Sequence, residues 1–193
     1  MTAIDVSGLT VLARAEWPAG PDDTPATLPR IAGFIVSEFN PLVAQAAERC
    51  LRARHGDAPA DPVVGATTGV VLASVRGDVT TTEAVHEALA AGRRVPPLLF
   101  FQSNPNAVVG HVTARWGLRG PVVCTSPVGD PLADGMAVAE LLIADGAATE
   151  VLVIAAEVAA PNDENDENDQ NEDERDHAVA VLVAGLDEGC GCR

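Results

Sequence analysis

NPNAVVGHVTARWGLRGPVVCTSPVGDPLADG, residues 104–135, encodes a helix, a turn, a strand, a second turn and the start of another helix. Its first part predicts a helix over Asn106–Trp116, with Val108, Val109 and Val112 facing inward and Gly117 closing it as a C-cap. An apolar strand at 121–126 follows, and Pro127, Val128, Gly129 and Asp130 form a tight turn. A helix Leu132–Asp145 comes next, with Met136, Ala139, Leu142 and Ile143 on its buried side and Gly146 ending it. A strand that turns sharply into a helix is a mounting for an activated Ser or Cys, because the helix N-terminus stabilises an anion. Here Cys124 lies in the strand itself, five residues ahead of the turn position where a nucleophile belongs. Asp130 and Asp134 are the carboxylates at the turn, and at a helix start they act as caps.

Outward from this stretch, the pattern is one of alternating strands and helices. Gly8–Trp17 reads as a first strand and 18–30, rich in Pro, Asp and Thr, as a loop. Asn40 as N-cap and Pro41 at the first helical position open a helix through Arg54, with Val43, Ala46, Ala47, Cys50 and Leu51 at 3–4 spacing. Val63–Ser74 is a strand candidate interrupted by Gly65 and Gly69. Thr80–Ala91 is an amphipathic helix with a Thr cap, and Pro96–Phe101 is an apolar segment running into the polar cluster Gln102–Asn106. Glu150–Val158 and His177–Ala184 are further strands. The runs at 121–126, 151–157 and 178–184 are almost continuously apolar, which suits a sheet covered on both faces. The expected fold is α/β, a central and mostly parallel sheet covered by helices.

Composition excludes several functions. The chain of 193 residues reads as one domain. Its net charge is −16, of which the acidic tract 162–176 carries −8, and all 12 basic residues are Arg. The body is therefore moderately acidic, with no basic face for phosphates, which argues against nucleic acid. No apolar run approaches the ~18 residues of a membrane span, and the N-terminus lacks the basic and apolar pattern of a signal peptide. Cys50 and Cys124 read as small apolar residues, and Cys190 and Cys192 as part of a flexible tail over 186–193; the implied setting is cytoplasmic and reducing. The tract, without an apolar residue or a calcium-loop register, reads as a solvated low-complexity insert, and neither it nor the two tail cysteines makes a metal site.

GVVLAS (69–74), PLLFFQSNPNAVVGHVTARWGLRGP (97–121), the strand–turn–helix after it and ADGAATEVLVIAAE (144–157) together resemble the N-terminal half of β-ketoacyl synthases, which have the thiolase fold. The resemblance covers Pro41 to Glu157, and NPNAVVGHVTARWGLRGP is its most specific part. It implies that the nucleophilic cysteine position, counted from Gly120-Pro121, falls on Gly129, which cannot accept an acyl chain. It also places the family's two catalytic histidines in a C-terminal half, and none of His55, His86, His111 and His177, read in loop, helix, helix and strand-start contexts, stands at a matching site.

A synthase-like chain without its nucleophile is similar to the chain-length factors of type II polyketide synthases. That likeness implies no catalytic residue and no cofactor. It implies a full-length ketosynthase as heterodimer partner, or a second copy of the chain, with an acyl carrier protein as a further partner. The strand at 121–126 would then pair across the two-fold axis and the helix at 107–116 would line the tunnel. Asn106, Val108, Val109, His111, Val112, Val122, Cys124 and Ser126 are the residues expected at that interface. The alternative is a small stand-alone enzyme using Asp130 or Cys124, or an acyl-binding protein that reuses the half-fold.

Overall fold

A computed structural model describes residues 8–159 and 175–186. The order is β1 (Leu9–Trp17), α1 (Phe39–His55), α2 (Pro62–Thr67), β2 (Thr68–Ala73), α3 (Val79–Ala90), α4 (Pro97–Gln102), α5 (Pro105–Trp116), β3 (Val122–Thr125), α6 (Pro131–Ala144), β4 (Glu150–Glu157) and β5 (His177–Gly185). The five strands form one open sheet in the order β1-β5-β4-β2-β3. Side-chain alternation along the strands divides the core in two. Val70, Leu72, Leu152, Ile154, Ala180 and Leu182 face α1 and α5, while Val71, Val151, Val153, Val181 and Val183 face α6. β4 is buried on both faces, as its unbroken apolar run requires.

The sheet is mixed but mostly parallel in strand direction, as expected: β1, β2, β3 and β4 point the same way and β5 alone opposes them. β3 and β4 run parallel to β2, but β5 is antiparallel to both β4 and β1. A parallel neighbour needs a crossover along the sheet. Glu157 and His177 instead face each other at the same end of their strands, where the Ala159 amide donates to Asp176 Oδ1 at 2.9 Å, so β5 returns directly.

Four local expectations change. The strand candidate Val63–Ser74 is strand only from Thr68. Ahead of it, Asp61 accepts from the Val63 and Val64 amides and Pro62 occupies the first turn, so local capping makes a helix of α2. Asn40 is not an N-cap but lies inside α1, wholly buried. Its Nδ2 donates to Ser37 Oγ, Asp78 Oδ2 and the Gln102 carbonyl, tying α1 to the start of α3 and the end of α4. The cap of α3 is Asp78, which accepts from the Thr81 amide, rather than a threonine. His55, read as a loop residue, ends α1. Of the expected acidic insert 162–176 only 175–176 is described, and of the tail 186–193 only residue 186; the rest, with Cys190 and Cys192, lies outside the described residues.

Small residues set how closely the layers approach. A Cβ on Gly135 of α6 would stand 2.7 Å from Val153 Cγ1, whereas one on Gly110 of α5 would meet nothing within 4 Å. Glycine within a helix normally costs stability against alanine, so the two sites should respond with opposite sign. Gly110→Ala should stabilise by about 0.5–1 kcal/mol; Gly135→Ala should destabilise by about 1–3 kcal/mol, since Val153 is stiff and enclosed. Urea denaturation of both variants measures this.

On the surface between α1 and α5, Glu48 accepts from Arg52, Arg115 and the Trp116 indole. These donors, Arg115 first, hold its carboxyl down at about 2. A depressed carboxylate contributes stability above its unfolded value and loses it as pH falls through its folded value. The wild type should therefore melt higher than Glu48→Gln at neutral pH, and the gap should narrow between about pH 4.5 and 2. Melting temperatures across that range give the readout.

Candidate functional site

The C-terminal ends of β2 and β3 are stitched together. The Ser74 amide donates to the Thr125 carbonyl at 3.1 Å and Ser126 Oγ donates to the Val75 carbonyl at 3.0 Å. From there the chain turns through Pro127–Gly129 into α6, whose N-cap Asp130 accepts from the Ala133 amide at 2.9 Å. Asp130 thus caps α6, and Asp134 lies in its first turn near the helix N-terminus without a capping bond. Gly129, the residue just before the cap, is exposed, has no left-handed φ, and has open space where a Cβ would stand. A side chain there would have room.

Beside the turn is a cleft of about 230 Å³, bordered by Ser74, Arg76, Pro105, Cys124, Thr125 and Ser126. Cys124 is half-buried, and its thiol donates to Asn106 Oδ1 at 3.1 Å. Burial pushes its pKa up, so it stays a thiol and a poor nucleophile at neutral pH. Cys50, wholly buried, is pushed up to about 11 for the same reason. Glu157, which the sequence reading passed over, holds the far wall. Its carboxylate accepts from the Val75 and Arg76 amides and lies 3.7 Å from Arg76 Nε. The available signal was an acidic residue closing an otherwise apolar strand.

The candidate interface residues separate into three groups. Val108, Val109 and Val112 are in the core, packed with α1, because the i, i+1, i+4 face of α5 is the face turned to the sheet; Val108 and Val109 are wholly buried, and Val112 reaches the surface only at a cleft. His111 is half-exposed and stacks edge-on against Phe34, with ring centroids 6.3 Å apart, at a different cleft. Asn106, Val122, Cys124 and Ser126 remain together along β3 and its ends. β3 ends the sheet. Pro121 and Thr125 present their carbonyls to β2, so by alternation the backbone groups of Val122 and Cys124 point outward from the sheet edge. Val122 is 46% exposed.

Among the described residues, no group of three His, Cys, Asp or Glu could hold a metal ion, and no helix is long and apolar enough to cross a membrane. The arrangement is a strand, a tight turn and a capped helix, with a glycine as the last residue before the cap.

The sequence matches the family described as "Beta-ketoacyl synthase, N-terminal domain" over residues 35–191. No curated protein matches it. Among solved structures, it is similar to a chain of the ketosynthase ApeO in complex with its chain length factor ApeC from Xenorhabdus doucetiae, with TM-score 0.69 and 20% identity over 92% of this chain and 79% of that one. The ishigamide ketosynthase/chain length factor gives TM-score 0.67 and 19% identity, over 88% of this chain and 49% of that one. A β-ketoacyl synthase from Burkholderia phymatum STM815 gives TM-score 0.69 and 18% identity, over 92% and 59%. The fold is the thiolase-like one of ketosynthases, and this chain spans from half to four-fifths of these relatives.

Alkylation reads out the state of the turn. In a background with Cys190 and Cys192 changed to Ser, a thiol introduced by Gly129→Cys should react with iodoacetamide roughly tenfold or more faster than Cys124, one pKa unit being tenfold in thiolate. Peptide mass spectrometry over time gives the two rates, and equal rates would mean that the turn offers no activation.

Proposed function

The chain belongs to the β-ketoacyl synthase N-terminal domain family, and on that premise we propose that it is a non-catalytic, chain-length-factor-like subunit that pairs with an active ketosynthase in polyketide- or fatty-acid-type assembly. Gly129 carries the reading. Acyl transfer in this fold needs a nucleophile at the end of the turn, and glycine has no side-chain atom to form the thioester. Cys124 does not replace it: it sits in the strand, is hydrogen-bonded to Asn106, and is held protonated by burial. What remains intact is the scaffold, and the use of an intact scaffold without its chemistry is to pack against a partner that has the chemistry. Similarity to chains of ketosynthase/chain length factor complexes supports this choice of partner.

The outer edge of β3 is the place for that partner to add a strand. Its outward N–H and C=O groups lack a neighbour among the described residues, and an unpaired apolar edge is a template for pairing. Ser126, Val122 and the Asn106–Cys124 pair then lie at the junction.

Co-expression with an active ketosynthase, read by size exclusion and native mass, should give a 1:1 complex. Val122→Pro should abolish it while leaving the isolated chain folded, since proline removes an outward N–H and spares the β2 ladder. A homodimer instead of a complex, or a complex untouched by Val122→Pro, would count against this edge as the contact.

A further inference from the structure

A second cleft, of about 390 Å³, lies away from the β3–α6 turn, between residues 29–32, α1 and α5, and is lined by no strand residue. Its floor is apolar and buried: Ile31, Ala44, Val112 and Trp116 are each less than a tenth exposed. Its rim is basic, with Arg30, His111 and Arg115 against the single carboxylate of Glu48. That carboxylate is already engaged on both oxygens by Arg52, Arg115 and the Trp116 indole. Arg30 has no acidic partner among the described residues. A chain of net charge −16 thus sets an uncompensated guanidinium and an imidazole above an apolar floor. Two guanidiniums over one carboxylate leave the rim net positive, and apolar surface with a few convergent polar groups is the make-up of a small-molecule site.

We propose that this cleft binds a small amphiphilic anion. The apolar body, of one or two rings or a short chain, lies on Ile31, Ala44, Val112 and Trp116, and the carboxylate or sulfonate head is held by Arg30 and His111. A cation is disfavoured by the rim charge, and a neutral apolar molecule leaves Arg30 without a counter-charge. The site is independent of the pairing edge and stands or falls separately from it.

The probe is 8-anilinonaphthalene-1-sulfonate, two linked aromatic groups with one sulfonate, titrated into the full chain at low salt. One saturable fluorescent site is expected. Arg30→Glu should weaken it by about tenfold or more, the scale of one charge-assisted contact. Ala32→Trp, on the exposed lip, should block it. Arg93→Glu makes the same charge change outside the cleft and should shift the affinity by less than about twofold. Changing Phe100 and Phe101 to Ser, both exposed on α4, should leave the site intact. Thermal melts confirm that each variant is folded. The proposal is overturned by absence of a saturable site, by equal effects of Arg30→Glu and Arg93→Glu, or by loss of binding in the Phe100/Phe101 variant.

Discussion

The contact of the Arg119–Pro121 turn with the backbone ahead of β2 fixes the register of the sheet edge. The Arg119 amide donates to the Gly65 carbonyl at 2.7 Å and the Gly120 amide to Thr68 at 3.1 Å; Pro121 in turn accepts from the Val70 amide at 2.8 Å. The approach is so close that a Cβ on Gly120 would stand 2.5 Å from the Thr68 oxygen. Only glycine permits it. From this clamp follows the parallel pairing of Val70–Ala73 with Val122–Thr125, and from that pairing the height at which the chain leaves β3 and turns into α6. Gly129 is therefore held in a defined place by a constraint ten residues upstream, and β3 stands at the edge of the sheet.

Much of this was legible in the sequence, because helix α5, the glycine after it, the β3–α6 turn and the strands 151–157 and 178–184 are local signals of periodicity and turn chemistry. Asp130 and Gly117 behave as their types suggest, one capping α6 and the other taking the left-handed φ of 71° that ends α5. What was not legible depended on distant partners. The polar cluster of Ser37, Asn40, Asp78, Thr81 and Gln102 joins three separate segments, and nothing near Asn40 in sequence announces that its side chain leaves the helix end for Asp78, 38 residues away. The direction of β5 was hidden for a similar reason: an apolar run reads the same in either direction. The valines of α5 illustrate a third limit. Periodicity identifies an apolar face but not what covers it, and here α1 and the sheet cover it from within the chain.

The structure also distributes polarity unevenly. The rim at the C-terminal ends of β2, β3 and β4 is built from backbone amides held by Glu157 and Ser74, from hydroxyls and from a protonated thiol. Its exposed apolar side chains, Val75, Val122 and Val128, stand around the turn. A surface of this kind is suited to being covered, which agrees with a role carried out through contact.

The covalent state of the chain tests the loss of chemistry most directly. After incubation with an acyl thioester in the presence of an active ketosynthase, intact-mass spectrometry should find this chain unmodified while the ketosynthase gains one acyl group. An acyl adduct on this chain, at Cys124 or at any other residue, would contradict it.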